Sequence, residues 1–374
     1  MKKIVFLTGT RADFGKIKPL LLQLEHHSDF EVFVFVTGMH LQELYGYTLI
    51  EIQRCQITNI HKFENHTHES TMDLTLAKTI EGFSAYCKEL QPDLIVVHGD
   101  RVETLAGAIV GALNNFLVAH IEGGERSGTV DELIRHSVSK LSHLHFVSNA
   151  EAAKRLLQMG EEEQTIFEIG SPDIDIMFSK QLPDIESVKS YYEIPFETYA
   201  VVLFHPVTTE LDQMEIHAQQ LVNALMEDTQ NYVVVYPNND MGNHHIFKAY
   251  EALHNHPRFR LFPSLRFEYF LQLLKQAEFI IGNSSAGIRE APSYGISAIN
   301  IGTRQLNRAT HPCIHNVSYE TSAILLAIQS AKPKSTEEMP QQFGEGRSAQ
   351  LFLEALIQPN FWARTAQKQF RDVH

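Results

Sequence analysis

The alternation of short apolar runs with helical patterns is the feature that most constrains how this chain folds. In the first half, four β-branched runs show little polar alternation, at Ile4–Thr8, Val32–Val36, Leu94–His98 and Leu117–Ile121. Such runs are typical of parallel strands covered on both faces. Helical patterns separate them, over Lys16–Glu25, Thr71–Leu90 and Glu103–Asn114. The first half therefore predicts a doubly wound βαβ domain.

The same alternation restarts near residue 199. Strands are predicted at Ala200–Phe204, Tyr232–Tyr236, Arg260–Phe262, Phe279–Ile281 and Ala298–Ile301. A chain of 374 residues also exceeds one ordinary core. We therefore predict an α/β fold with two doubly wound Rossmann-like domains, at 1–172 and 173–354. A C-terminal helix over about 355–374 is expected to pack back on the first domain. Ligands of such sheets bind beyond the carboxyl ends of the strands, so an active-site cleft is expected between the domains.

Composition narrows the class of partner and the compartment. The net charge of −14 argues against nucleic acid as a ligand. No apolar run approaches the length of a membrane span. The three cysteines are widely spaced, which argues against a disulfide framework or a zinc site and favours a reducing, cytoplasmic setting. Two histidine groups, His66-Thr67-His68 and His244-His245, lack partners at ligand spacing, so no metal is predicted.

The segment Gly282–Pro292 follows an apolar run and precedes a predicted helix. Its small residues, Gly287 among them, are expected to leave backbone N–H groups uncovered, and Ser284 and Ser285 add hydroxyls. A helix N-terminus behind such a turn favours a phosphate, although a plain helix cap is the competing interpretation. Glu290 is placed to accept hydrogen bonds from a sugar diol. The segment predicts a nucleotide-diphosphate cradle.

Carboxylates follow two neighbouring predicted strands of the first domain and one predicted helix start. Asp100 lies in His-Gly-Asp-Arg, Glu122 in His-Ile-Glu-Gly-Gly-Glu, and Asp131 opens the segment that ends at His136. Crowded carboxylates repel one another, which suits one of them to proton transfer at neutral pH. A turn-forming role for Asp100 and a helix-capping role for Asp131 are the structural alternatives.

Further polar residues stand at the remaining strand ends. His205 is placed to meet a phosphate or to act as a general acid, Asn238 to read a base or ribose, and Arg11 and Arg304 to contact a diphosphate. Phe270 either stacks on a base or packs in the core.

Neither G-x-G-x-x-G nor a Walker A sequence occurs, so no dinucleotide cofactor is predicted.

Seven motifs in order carry a family resemblance. They are Thr-Gly-Thr-Arg-Ala-Asp from Thr8, His-Gly-Asp-Arg from His98, His-Ile-Glu-Gly-Gly-Glu from His120, the segment from Asp131 to His136, Phe-His-Pro-Val-Thr-Thr from Phe204, Gly-Asn-Ser-Ser-Ala-Gly-Ile-Arg-Glu from Gly282 and Gly-Thr-Arg-Gln from Gly302. Together they resemble the hydrolysing UDP-N-acetylglucosamine (UDP-GlcNAc) 2-epimerases of bacterial sialic acid and capsule biosynthesis. The likeness runs from about residue 3 to the final helices. Gly15 departs from it, since the animal enzyme has a serine there.

The resemblance implies a GT-B-like fold and hydrolysis of UDP-GlcNAc to N-acetylmannosamine (ManNAc) and UDP, without cofactor or metal. It places Asp100, Glu122 and Asp131 on the catalytic carboxylates and His205 on an essential histidine. It places UDP contacts on the following residues: Arg11, Asn238, Phe270, Ser284, Ser285, Gly287, Glu290 and Arg304. A homodimer or homotetramer is implied as well, with the amphipathic helix Thr71–Leu90 available for an interface.

Four other functions stay open from the sequence. A non-hydrolysing epimerase releases UDP-ManNAc, and a related hydrolase acts on UDP-N,N'-diacetylbacillosamine. A GT-B glycosyltransferase needs an acceptor sugar and has less use for crowded carboxylates. A non-catalytic sensor binds UDP-GlcNAc and leaves it intact.

Overall fold

The computed structural model describes residues 1–66, 71–308, 310–331, 342–369 and 371–372. The chain divides into two compact units. The first comprises Met1–Ser127, Asp131–Lys180 and Gln342–His374, and the second Gly128–Val130 and Gln181–Gln341. These limits differ from the expected boundaries at 172 and 354. The helix at 172–177 belongs to the first unit, where Asp175 accepts hydrogen bonds from the Ser348 and Ala349 N–H groups at 2.9 Å each.

A parallel seven-stranded sheet forms the centre of the first unit, in the order β3-β2-β1-β4-β5-β6-β7. Its strands are Lys2–Thr8 (β1), Phe30–Val36 (β2), Ile60–Lys62 (β3), Leu94–His98 (β4), Leu117–Ile121 (β5), Leu144–Val147 (β6) and Ile166–Glu168 (β7). The α-helices in the described part of this half of the chain are Arg11–Glu25 (α1), Leu49–Gln53 (α2), Met72–Leu90 (α3), Val102–Leu113 (α4), Thr129–Leu141 (α5), Ala150–Gln158 (α6) and Pro172–Met177 (α7).

The second unit holds a parallel six-stranded sheet in the order β10-β9-β8-β11-β12-β13. Its strands are Ala200–Leu203 (β8), Tyr232–Val235 (β9), Phe259–Phe262 (β10), Phe279–Gly282 (β11), Ser297–Ile301 (β12) and Ile314–Val317 (β13). Its described α-helices are Ile185–Tyr191 (α8), Met214–Glu227 (α9), Asn243–Tyr250 (α10), Phe267–Lys275 (α11), Glu290–Ser293 (α12) and Thr321–Ser330 (α13). The last described α-helix, Ser348–Leu356 (α14), returns to the first unit.

The strand order reverses once in each sheet, between β1 and β4 in the first and between β8 and β11 in the second. Ligands of open parallel sheets bind outside the carboxyl ends of the strands at such a switch point. Each sheet therefore has one favoured position for a ligand. His98 and Asp100 follow β4, while His205 follows β8 and Ser284 follows β11.

The C-terminal segment packs on the first unit, but the predicted helix over 355–374 is wrong. Helix α14 ends at Leu356, and residues 357–369 form turns and irregular chain. Pro359 explains the stop, because a proline disfavours helical geometry in the residue before it. Phe352 and Phe361 nevertheless join the core of the sheet, with 0% and 1% of their surface exposed.

A buried ion-pair cluster fastens the end of this segment to the first unit. The Glu161 carboxylate contacts His145 Nε2 at 2.9 Å, Lys140 Nζ at 2.8 Å and Lys368 Nζ at 2.5 Å. Burial opposes the charge on Glu161, yet the hydrogen bonds and charges of these three partners outweigh it and lower its pKa to about 2. Lys368 also donates to the Ser142 carbonyl at 2.7 Å. The chain around residue 368 is thus held by charge as well as by apolar contact.

In the ranges that the structure describes, no helix combines the length and apolar character needed to cross a membrane. The three cysteines are free thiols, and Cys87 is buried, which raises its pKa to about 12.

Candidate active site

Asp100 is held at the carboxyl end of β4 by Ser127 and Arg135. Its Oδ2 atom accepts a hydrogen bond from Ser127 Oγ at 2.5 Å and pairs with Arg135 Nη2. Arg135 is 3% exposed, whereas the Asp100 side chain keeps 22% exposure. The carboxylate is therefore fixed from the protein side and still reaches solvent, so the turn-forming role alone does not account for it.

Glu122 follows the neighbouring strand β5 and adopts φ of +62°, a left-handed conformation that is uncommon for a non-glycine residue. Its N–H donates to the Phe146 carbonyl at 2.8 Å, and its carbonyl accepts from Arg135 Nη1 at 2.5 Å. Its carboxylate accepts from Ser171 Oγ and lies 3.2 Å from His98 Nε2. Backbone strain of this kind persists where the surroundings enforce it, as at functional sites.

His120, a buried histidine on β5, contacts both the turn after β4 and helix α5. His120 Nε2 lies 2.8 Å from the Gly99 carbonyl, and Nδ1 lies 3.0 Å from Ser139 Oγ. Burial holds the pKa of His120 well below its usual range. The neutral ring thus donates from Nε2 and accepts at Nδ1, which ties the turn that precedes Asp100 to helix α5.

Asp131 is the third residue of α5, inside its first turn rather than before it. It precedes Arg135 by four residues, so the two side chains lie on the same face of the helix. It is also the position that Asp13 takes in the capping box of α1, so the helix-capping alternative stays open.

Arg11 is the first residue of α1. Thr10 caps the helix by accepting from the Asp13 N–H at 3.1 Å, and Asp13 accepts from the Gly9 and Thr10 N–H groups at 3.0 and 3.1 Å. This capping box fixes the start of the helix and places Arg11 at the carboxyl end of β1.

In the second unit, Asn283 joins the ends of strands β8 and β11. Its side chain is fully buried, accepts from the His205 N–H at 2.7 Å and donates to the His205 carbonyl at 2.8 Å. His205 Nδ1 accepts from the Asn238 N–H at 3.1 Å. A neutral imidazole at this position therefore carries its proton on Nε2.

Asn283 also anchors the cationic segment after β12. Its carbonyl accepts from Arg304 Nη1 at 3.2 Å and from Gln305 Nε2 at 3.0 Å. Four of the strand ends predicted to carry polar residues, those of β8, β9, β11 and β12, are thus joined through Asn283 and His205.

The helix predicted behind the Ser284 turn is much shorter than expected. Residues Ser285–Gly287 form a single 3-10 turn, and α12 has four residues. Gly295, with φ of +70°, ends it in the way glycine ends many helices. Three N–H groups of the row that was expected to be uncovered are also covered. The N–H groups of 286, 287 and 288 donate within the turn at 3.3, 3.1 and 2.9 Å. The Ser284 and Ser285 hydroxyls remain predicted donors to an anion.

Two of the predicted ligand contacts are largely buried. Phe270 on α11 is 9% exposed, which fits the core-packing alternative better than an open stacking face. Glu290 is 3% exposed at the start of α12. Gly287 closes the 3-10 turn, where an added Cβ would meet only ordinary contacts with Ala298 and Ile280.

Five side chains that contact Asp100, Glu122 or His205 were not predicted to have a functional role: His98, Ser127, Arg135, Ser171 and Asn283. Arg135 had a usable signal, since it follows Asp131 by one helical repeat. Ser171 had none, because it lies 49 residues from Glu122 along the chain.

Within the described ranges, no group of three or more His, Cys, Asp or Glu side chains could hold a metal ion. His244 and His245 lie with ring centroids 3.9 Å apart, and His245 faces Glu215 at 3.9 Å. His66 is described, whereas Thr67 and His68 lie outside the described residues.

The sequence profile of the UDP-N-acetylglucosamine 2-epimerase family matches residues 22–357. A UDP-N-acetylglucosamine 2-epimerase of Neisseria meningitidis serogroup B is 49% identical over 378 residues and covers 100% of both chains. The hydrolysing UDP-N,N'-diacetylbacillosamine 2-epimerase of Legionella pneumophila is 34% identical, over 94% of each chain.

Among solved structures, the UDP-GlcNAc 2-epimerase of Methanocaldococcus jannaschii in complex with UDP-GlcNAc and UDP has a TM-score of 0.81. It is 21% identical and covers 95% of this chain and 99% of that chain. This likeness confirms the predicted α/β class with two Rossmann-like, GT-B-like domains. The profile and the relatives confirm the family predicted from the motifs. The chain is an enzyme of the UDP-N-acetylglucosamine 2-epimerase family.

Proposed function

We propose that this enzyme is the hydrolysing kind of UDP-GlcNAc 2-epimerase, which converts UDP-GlcNAc and water to ManNAc and UDP. The observation that supports this most directly is the Asp100–Arg135–Glu122 cluster, in which one guanidinium contacts residues from two adjacent strand ends. Inversion at C2 without an oxidant requires acid and base groups at that carbon, and the cluster supplies carboxylates.

The reaction divides into two steps that balance without a redox cofactor. In the first, a base removes the C2 proton while the C1–O bond to UDP breaks, which leaves 2-acetamidoglucal. In the second, water adds at C1 and a proton returns to C2 from the opposite face. We assign proton transfer to Asp100 and Asp131, and a positioning or sharing role to Glu122.

The second unit is proposed to bind the UDP portion. His205 offers an Nε2–H to the diphosphate, and Ser284 and Ser285 offer hydroxyls. Such donors stabilise the negative charge that builds up on the leaving pyrophosphate. The other proposed contacts are those of the sequence analysis: Arg11, Asn238, Phe270, Gly287, Glu290 and Arg304. The proposed reaction requires the Asp100–Arg135–Glu122 cluster and these UDP contacts to act on one substrate molecule.

Proton NMR of UDP-GlcNAc incubated with the protein in D2O tests the reaction. We expect free UDP and ManNAc with deuterium at C2. Release of UDP-ManNAc instead would show a non-hydrolysing epimerase. Unchanged UDP-GlcNAc would contradict the proposal and leave the sensor, the glycosyltransferase or a hydrolase specific for UDP-N,N'-diacetylbacillosamine.

The variant Asp100→Asn tests the role of that carboxylate. It keeps the shape and one acceptor oxygen but cannot take up the C2 proton, so we expect it to fold, bind UDP and lose nearly all turnover. Far-UV circular dichroism, calorimetric UDP titration and UDP release measure the three properties. Turnover like that of the wild type would remove Asp100 from the mechanism.

UDP-N,N'-diacetylbacillosamine is the second candidate substrate, because the Legionella relative that is 34% identical carries that name. Comparing kcat/KM for the two nucleotide sugars separates the candidates.

We further propose a cytoplasmic homo-oligomer in sialic acid biosynthesis. Light scattering after gel filtration tests the oligomer, and a protein that runs only as a monomer would contradict it.

A further inference from the structure

We propose that Arg135 is a positioning residue for proton transfer, which sets the orientation of Asp100 and the backbone of Glu122 at once. This inference rests on the proposed function, since it concerns the same reaction. Arg135 lies on α5, whereas the two carboxylates follow β4 and β5. It therefore joins three elements that meet at the carboxyl edge of the sheet.

The guanidinium donates in three directions. Nε donates to Ser127 Oγ at 2.6 Å, Nη1 donates to the Glu122 carbonyl at 2.5 Å, and Nη2 pairs with Asp100 Oδ2. A planar fork fixes three acceptors relative to one another, and a lysine ammonium has no such fixed geometry.

Ser127 completes the arrangement around Asp100. Its hydroxyl accepts from Arg135 and donates to the same Oδ2 atom that Arg135 contacts. Rotation of the carboxylate would break both contacts together. The partly exposed carboxylate is consequently held in place by groups that substrate need not touch.

Exposure distinguishes the two carboxylates. The Asp100 side chain is 22% exposed, whereas that of Glu122 is 3% exposed and contacts His98 and Ser171. Only Asp100 of the pair offers appreciable surface to a ligand. Arg135 thus holds Asp100 and, through the Glu122 carbonyl, stabilises the left-handed backbone at Glu122.

A purely structural role would predict a different outcome on substitution. A buried arginine that only stabilises the fold lowers activity in proportion to the folded protein lost. A positioning residue lowers kcat in protein that is folded and still binds UDP, because a displacement of about 1 Å can cost about 10²-fold in rate.

The test compares Arg135→Lys, Arg135→Ala and the control Arg155→Ala. Arg155 lies in the same unit and also donates to a backbone carbonyl, that of Gly124 at 3.2 Å. It has no proposed role in orienting a catalytic carboxylate. Circular dichroism and calorimetric UDP titration establish folding and ligand binding. UDP release gives kcat and KM, and guanidinium is added to each variant.

We expect Arg135→Lys to lower kcat about 10²-fold with little change in KM. Arg135→Ala should lose more, and guanidinium should restore part of its kcat but change neither Arg155→Ala nor the wild type. If Arg135→Lys keeps the wild-type kcat, the positioning role is wrong while the proposed function stands. If Arg135→Ala loses activity only with its fold and guanidinium restores none, the role is structural and the inference fails.

A wild-type protein that releases no UDP from UDP-GlcNAc gives a third, distinct result. It would overturn the proposed function and the role of Arg135 in it together.

Discussion

Replacing Asn283 by alanine removes the amide that joins strands β8 and β11. The variant leaves the His205 N–H and carbonyl without the partners they now have at 2.7 and 2.8 Å. An unsatisfied buried backbone group costs about 1–3 kcal/mol. His205 is partly exposed, so water compensates in part, and we expect a loss of about 2–4 kcal/mol in the free energy of unfolding of the second unit.

Two optical probes assign this loss to a unit. The chain has one tryptophan, Trp362, which lies in the first unit, so its fluorescence reports that unit during urea unfolding. Far-UV circular dichroism reports both units. We expect Asn283→Ala to lower the urea midpoint of a circular dichroism transition and to leave the Trp362 transition in place. UDP affinity should fall as well, because the position of His205 depends on the Asn283 side chain.

Asn300→Ala is the matched control. Asn300 is 3% exposed on β12 of the same sheet, but its side chain donates to Asn316, which is exposed and can turn to water. We expect this variant to cost less than about 1 kcal/mol, the net worth of an ordinary hydrogen bond. Equal losses in the two variants, or an Asn283→Ala protein with an unchanged dichroism transition, would refute the reasoning.

The strands that could be predicted from the sequence are those buried on both faces. β4 and β5 begin and end at the predicted residues, and β1, β2 and β12 extend the predictions by one or two residues. Strand β6 was missed because it contains His145, a polar residue in a four-residue run. The cost of burying His145 is offset by its contact with Glu161, which lies 16 residues further along the chain.

The residues of the candidate site also divide into those that the sequence predicts and those that it does not. Polar residues at strand ends can be predicted, since topology alone brings the carboxyl ends of parallel strands together. The partners that orient them cannot, because they depend on tertiary contacts without sequence periodicity. Arg135 meets Asp100 across 35 residues, and His205 meets Asn283 across 78.

Two helix predictions, the one behind the Ser284 turn and the one over 355–374, failed for a reason that was visible in the sequence. Pro359 ends the chain's last described helix, and Gly295 ends the one after the Ser284 turn. At both places a single residue with a restricted or left-handed backbone decided where the helix stops.

Two substitutions test the supporting structure of each unit. Gly282→Ala places a Cβ 1.8 Å from the Leu203 carbonyl oxygen at φ of +138°, so we expect little folded protein, and a normal thermal midpoint would contradict this. Glu161→Gln tests the ion-pair cluster by pH. The pKa of Glu161 is lowered from its ordinary value of 4.5 to about 2, so its contribution is complete above pH 4.5 and is lost as the pH falls towards 2. The wild type should therefore lose stability of the first unit over that range more steeply than Glu161→Gln, as followed by Trp362 fluorescence in urea. Parallel pH profiles would show that the charge of Glu161 does not stabilise the first unit, and that the C-terminal segment is held by its other hydrogen bonds and its apolar contacts.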